Sequence, residues 1–245
     1  MFSIQETQNH KIYKFLFLKI KLKKNRTKKQ KNNIYIVDKK GNKKRVWFVF
    51  GLNIHFKGCN SSVTLHSPIC KFKNSKISLG SNSKVEIKSS PYLIRKLNIE
   101  ANANNVSCFI DEELSCFNGL SILLHKEDNL KVTIGKNCMI GSNVSIRTSD
   151  VHTIVDKNTK EILNFGKDVV IGNRVWIARD VSVLKGVKIA DNSVVGAYSV
   201  VTKSLEEENA LYVGLPAKKI KSDVEWYRDS IPQYMNNIQN GIIPS

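Results

Sequence analysis

Along residues 169–205 aliphatic side chains recur every six residues. Ile171, Ile177, Val183, Ile189, Val195 and Val201 form one series. Four residues after each stands a second, small or apolar series: Val175, Val181, Val187, Ser193, Ser199 and Leu205. A helix turns by about 100° per residue, so steps of six rotate roughly 240° and scatter such residues around the axis. In a pleated strand both spacings are even and both series point to one side. Between them fall the pairs Asn173-Arg174, Lys185-Gly186 and Asp191-Asn192, where Gly, Asn and Asp accept positive φ at small cost. The pattern predicts short strand, bend, short strand, with each inward residue stacked under the one a coil later. That is an all-β, parallel β-helix of hexapeptides.

The same spacing holds upstream at Ile134, Ile140 and Ile146. Ile146 to Ile171 is 25 residues, not a multiple of six, so the register breaks there. Residues 152–168 therefore leave the coil as a protruding loop, and loops on rigid scaffolds are where chemistry is usually placed. From Ile34 to Ile99 the strands are more loosely punctuated. NIYIVD, a turn at residues 39–42 and RVWFVF come first, then degenerate rungs in which Leu79, Ser83, Val85 and Ile87 keep the even spacing. Pro91, Tyr92 and the chain to Lys96 are expected to loop out. After Leu205 come a turn, a last strand and a Gly-Leu-Pro-Ala bend. Ser222 with Glu225 three residues on is a capping-box signature for a short C-terminal helix, which Pro232 should end or bend. A terminal cap suits a solenoid whose last coil otherwise exposes core and strand edge. The expected division is an N-terminal arm (1–33), a β-helix domain (34–221) and a helical cap (222–245).

Charge sets the arm apart. Of a net +18, residues 1–45 carry +13, leaving +5 for the other 200 residues. The arm joins the apolar cluster IYKFLFLKIKL to the run KKNRTKKQKNN, and its apolar positions fit neither helical nor strand period. It could lie on an anionic membrane surface, or be a solvated tail or a packing arm against another subunit. Nucleic acid is disfavoured, because no recognition motif accompanies the charge. The five cysteines form no CxxC pair and no metal-spaced set with His, which points to a reduced, cytoplasmic interior without disulfides. Cys138 stands at an inward position of the repeat. No apolar run reaches the roughly 18 residues of a membrane span, and no secretory signal is evident at the N-terminus.

The run IGNRVW-IARDVS-VLKGVK-IADNSV-VGAYSV-VTKSL, followed by VGLPAKKIK, resembles the hexapeptide-repeat acyltransferases, from about Lys131 to Lys221. The resemblance implies a left-handed β-helix, a homotrimer and acetyl-CoA as co-substrate, with no metal. The context IRTSDVHTI, with a tryptophan one coil on, is similar to capsule, lipooligosaccharide and sialic-acid O-acetyltransferases. A repeat scaffold alone specifies no chemistry, so the site residues carry the functional reading.

His152 opens the loop. Acetyl transfer to an alcohol needs a base near pH 7, and imidazole suits that task; the family places its catalytic His at the start of such a loop. The bland alternative is an exposed loop histidine. Asp150 could fix the imidazole tautomer as a triad carboxylate does, or be a solvated acid. Trp176, 24 residues after His152, follows inward Val175 and should point outward. It resembles the Trp lining the acyl or acceptor pocket, with packing at a subunit contact as the alternative. For acetyl-CoA the resemblance points to Ala178, Arg179, Ala197 and Tyr198 beside the pantetheine groove, with Arg179 and Tyr198 bulkier than is usual there. It also points to Thr202, Lys203 and Lys218 near the phosphates. Asn118, Ser121 and Arg147 are acceptor-side candidates. The expected enzyme is an acetyl-CoA-dependent O-acetyltransferase acting on a cell-surface saccharide. An N-acetyltransferase of an amino sugar or antibiotic, or a non-catalytic scaffold, is the alternative. A γ-type carbonic anhydrase needs three zinc histidines, and only His152 lies in the relevant region.

Overall fold

The computed structural model describes residues 31–242 in full, together with the backbone of three strands, Ser3–Glu6, His10–Phe15 and Leu18–Lys23. The chain divides into two compact units, Met1–Lys31 and Asn32–Ser245. In the first, the three strands form an antiparallel sheet in chain order. The sequence pattern assigned no period here, and the proposed membrane-facing side chains of the arm lie outside the described residues. No helix among the described residues is long and apolar enough to cross a membrane.

The second unit is a parallel solenoid with three faces. Face A stacks Asn33–Val37, Ser62–His66, Lys84–Ile87, Ser107–Ile110, Lys131–Ile134, Val169–Ile171 and Lys188–Ile189. Face B carries Met139-Ile140, Trp176-Ile177, Val194-Val195 and Leu211-Tyr212 in register. Face C carries Ser121-Ile122, Ser145-Ile146, Ser182-Val183 and Val200-Val201. The predicted inward series converges: Ile171, Ile177, Val183, Ile189, Val195 and Val201 are all buried, as are Val175, Val181, Val187, Ser193, Ser199 and Leu205. Stacking removes each aliphatic from water against its own kind a coil above and below, which supplies the main folding drive. Cys138 is inward and buried as expected, and all five cysteines are free.

Coil length explains where the pattern was faint. On face A, Ser62, Lys84, Ser107 and Lys131 are in register at steps of 22, 23 and 24 residues. From Val170 to Lys188 the step is 18, three hexapeptides. The longer coils bulge at corners held by residues in the left-handed region, among them Asn82, Asn105 and Asn137, a conformation Asn tolerates better than most. Between them Val132 pairs with Val169, a step of 37, and the excess is the protruding loop.

Three local expectations are corrected. Residues around Tyr92 do not loop out to Lys96: Leu93–Arg95 is a strand with Ile94 fully buried, and the turn comes at Lys96, φ 51°. The strand expected through RVWFVF stops at Val46, and Trp47, Phe48 and Phe50 are exposed. The C-terminal helix is Ile231–Gln239, capped by Ser230 with Gln233 rather than by Ser222 with Glu225. Pro232 thus opens the helix. Its ring would break a helix begun at Ser222 but is well placed in a first turn, where no backbone N–H is needed. The segment before it packs on face B. Trp226 is buried, donates from Nε1 to Arg174 O at 2.8 Å, and meets Trp176 at a ring-centroid distance of 6.2 Å. Arg228 reaches Asn137 Oδ1 at 2.8 Å and Glu113 O at 3.3 Å, holding the segment to two coils.

Candidate active site

Where the chain leaves face C after Arg147, Thr148 and Ser149 are buried and bond back to the coil. Thr148 Oγ1 donates to Leu123 O at 3.2 Å and Ser149 Oγ to His125 O at 3.0 Å. The next residues turn sharply. The His152 N–H donates to Asp150 O at 2.8 Å around Val151, whose φ is +72°. This is a γ-turn with a β-branched residue in the left-handed region, a strained geometry that persists only where its surroundings enforce it. It lifts the His152 side chain into solvent beside a cavity of about 180 Å³ lined by Lys126, Glu127, Thr153, Ile162, Asn164 and Phe165.

The enforcing contacts are polar. Asn164 Nδ2 donates to His152 O at 2.8 Å and to Asp150 Oδ2 at 3.0 Å, while its Oδ1 accepts from Ile154 N at 2.7 Å. The Lys185 ammonium, one coil down, ion-pairs with the Asp150 carboxylate and donates to Asn164 O at 2.7 Å. The loop is itself a hairpin. Val155 bridges Ile162, Asp156 caps a turn through the N–H groups of Asn158 and Thr159, and the base closes by Lys167 N–H to Thr148 O at 2.9 Å. Glu127 receives the Gly166 N–H. Hydrogen bonding from Lys185 holds the Asp150 carboxyl below its ordinary value of 3.8, with Asn164 adding to it.

The Asp150 carboxylate is bonded by Lys185 and Asn164, ties that fasten the loop to the coil. Neither Lys185 nor Asn164 could be picked out by spacing, since they stand 35 and 14 residues from Asp150. Nor did spacing show the strain at Val151.

The other candidates fall into separate groups. Ala178, Arg179, Ala197 and Tyr198 share the corner between faces B and C, one coil apart: Tyr198 N–H donates to Arg179 O at 3.0 Å, and Asp180 and Tyr198 both have positive φ. Arg179 is paired with Asp180 at 2.9 Å and lies over the Tyr198 ring at 5.5 Å. Asn118 stands at the same corner two coils up, through Ser142, and Lys218 is exposed on the strand that closes this end. Thr202 and Lys203 follow Val201 on face C, at the corner from which the loop emerges. Ser121 is on the outer row of face C with Ser145 and Ser182. Arg147 ends that face, and its buried Nε has no hydrogen-bond partner. Trp176 is on face B, half-buried under Trp226, so one chain does not bring it to His152.

Among the remaining titratable groups, burial pushes the Cys138 and Cys108 thiols up to about 12 and those of Cys70 and Cys116 to about 11. Such thiols supply no thiolate nucleophile. His66 is engaged by Glu86 at 2.8 Å. A larger recess on face A, about 570 Å³, is edged by Asp111, Asp191, Glu206 and Glu208, the wrong sign for phosphate or carboxylate ligands.

Comparison with known proteins accounts for this architecture. The family model described as bacterial transferase hexapeptide (six repeats) matches residues 168–203, and the hexapeptide repeat of succinyl-transferase matches residues 131–149. The chain is 32% identical over 191 residues to the polysialic acid O-acetyltransferase of Neisseria meningitidis, covering 70% of this chain and 88% of that one. It is 39% identical over 101 residues to the polysialic acid O-acetyltransferase of Escherichia coli O1:K1 / APEC, covering 41% of this chain and 33% of that protein. The crystal structure of the polysialic acid O-acetyltransferase OatWY superposes with a TM-score of 0.57 at 26% identity, covering 86% of this chain and 96% of the other. The match to the Neisseria enzyme spans most of both proteins, and the chain therefore belongs to the hexapeptide-repeat acyltransferases, enzymes built on a left-handed parallel β-helix.

Proposed function

We propose that the protein transfers the acetyl group of acetyl-CoA to a hydroxyl of a sialic-acid-containing or related cell-surface saccharide, in the cytoplasm, with His152 as general base. The observation that carries this reading is the strained turn at Val151, held by Asn164, Asp150 and Lys185, which presents an imidazole at the mouth of a cavity. In the reaction the imidazole takes the hydroxyl proton as that oxygen attacks the thioester carbonyl. A backbone N–H meets the developing oxyanion. The C–S bond then breaks, and the leaving thiolate takes the proton from the imidazolium.

Arg147 supports an anionic acceptor. Five residues before the base, it has an Nε without a hydrogen-bond acceptor, and a carboxylate is a natural partner of a guanidinium. The relatives named above act, by their names, on polysialic acid. For the thioester substrate, the stacked corner at Ala178 and Ala197 carries small side chains, and Lys203 and Lys218 are exposed cations suited to phosphates. Arg179, tied to Asp180 and stacked on Tyr198, narrows that corner. Because His152 and Trp176 stand on different faces, a complete site needs a second copy, consistent with a homotrimer. Exposed Ile154, Leu163 and Phe165 on the loop give such a copy an apolar surface to cover.

The test is an acceptor series with acetyl-CoA, reading thiol release and the alkali lability of the product. Turnover with polysialic acid to an alkali-labile ester is expected. Turnover only with amino sugars to a stable amide, or none with any saccharide, would reject the assignment.

A further inference from the structure

All of the net charge of this chain lies in its first third. Residues 86–245 contain 19 Lys+Arg and 19 Asp+Glu, whereas residues 39–85 contain ten Lys+Arg and no acid. The catalytic coils are thus neutral overall, and the first coils of the solenoid form a strongly basic end. At that end stand three of the most exposed large apolar side chains among the described residues: Trp47, Phe48 and Phe50, at 79, 80 and 91%.

Their exposure is built in. The Leu52 N–H closes a turn on Val49 O at 3.2 Å, and Gly51 at φ +74° presses that turn onto the next coil. A Cβ at Gly51 would lie 2.0 Å from Phe72 O, so only glycine fits. With the turn fixed inward at Gly51 and Leu52, Phe50 is thrown outward. Behind it is an apolar recess of about 490 Å³ floored by Ile36, Val49, Ile69 and Phe72, with Lys71 on its rim. Cations interleave with the aromatics: Arg45 lies over the Trp47 ring at 4.4 Å and Lys43 over Tyr35 at 4.0 Å. Lys39, Lys40, Lys44 and Lys73 are exposed around them.

We propose that this end of the solenoid docks on an anionic lipid bilayer, with Trp47, Phe48 and Phe50 entering the interface and the surrounding lysines meeting acidic headgroups. Three exposed aromatics, Phe50 on the fixed turn and Trp47 and Phe48 just before it, form a patch that water disfavours. An interfacial membrane site combines such a wedge with basic residues, and each cation near an acidic surface adds to binding. Charge argues against a second copy as occupant, since it would bring an equally basic end against this one. A polyanionic saccharide would suit the lysines, but phenylalanine and valine at the tip offer its hydroxyls no hydrogen bond. The surface is separate from the loop of His152, so its failure leaves the catalytic reading untouched.

The experiment is sedimentation of the full chain with vesicles of phosphatidylcholine alone, or with about one third phosphatidylglycerol. It is run on the parent and on the W47S/F48S/F50S variant, with unfolding midpoints measured for both. Binding to the anionic vesicles that weakens with salt and falls on the order of tenfold or more in the variant is expected. Brominated acyl chains should quench tryptophan emission of the parent and much less that of W47F, which keeps Trp176 and Trp226; this readout stands even where the triple variant is unstable. Equal vesicle binding by parent and variant, or equal quenching of parent and W47F, would overturn the proposal. So would loss in the variant of polysialic acid binding or of self-association while vesicle binding is retained.

Discussion

Lys185→Met removes the ammonium that ties the loop to the coil below while keeping an unbranched stem. Lys185 donates to the Asp150 carboxylate and to Asn164 O. Its side chain is 19% exposed and that of Asp150 39%, so water screens the pair. Discounted for that screening, the two bonds contribute about 1 kcal/mol each. A loss near 2 kcal/mol lowers the docked-loop population by roughly 30-fold at most, since 1.4 kcal/mol is about a factor of ten. kcat should therefore fall about 10- to 30-fold, because an imidazole displaced by about an ångström is poorly placed for proton transfer. The coils are untouched, so the unfolding midpoint should drop by no more than about 4–8 °C, and KM for acetyl-CoA should hold. Thiol release with a saccharide acceptor measures both constants. The D150N/K185M double variant should be no slower than the slower single one, because both act through one contact. Unchanged kcat in K185M, or losses that multiply in the double variant, would refute the loop-holding role.

Three further outcomes follow from the same geometry. Ile171 is buried and its neighbour Val170 is 36% exposed, so Ile171→Ala should cost about 2–5 kcal/mol and Val170→Ala less than about 1, read by denaturant unfolding. Asp150 is held below 3.8 chiefly by Lys185. Its stabilisation of the loop is fully present above that value and lost as pH falls through the lower folded one. Loop protection in hydrogen exchange should accordingly stay flat from neutral pH to about 5 and weaken only below 3.8, with a smaller step in D150N, where the Asp156 turn cap still titrates. Finally, the inactive variants H152A and W176A, unfolded and reassembled together, should recover about a quarter of parental activity if each site draws on two copies. No recovery would place the site within one chain.

Much of the fold was legible because a six-residue period admits few three-dimensional solutions, and residues 169–205 follow it without interruption. The loop was legible from a failure of that period between Ile146 and Ile171. Coils of 22–24 residues hid the rest: Leu93–Arg95 was lost because Pro91 and Tyr92 precede it and no six-residue partner marks Ile94. The helix was expected to start at Ser222 because Glu225 stands three residues on; Ser230 with Gln233 has the same spacing, and only from Ser230 does Pro232 fall in the first turn. His152 was singled out because the loop begins with it. Lys185 was not, because pairing across coils depends on which outward side chains share a corner. The pattern of inward residues does not report that. Trp176 was rightly read as outward, yet its cover by Trp226 depends on a tail with no repeat to set its path.

The central claim is that this prism serves to present one imidazole to a hydroxyl and a thioester. Acetyl-CoA turnover by His152→Ala with polysialic acid as acceptor tests it most directly. The rate should fall on the order of 10²–10⁴ with an unchanged unfolding midpoint. Turnover equal to that of the parent would contradict it.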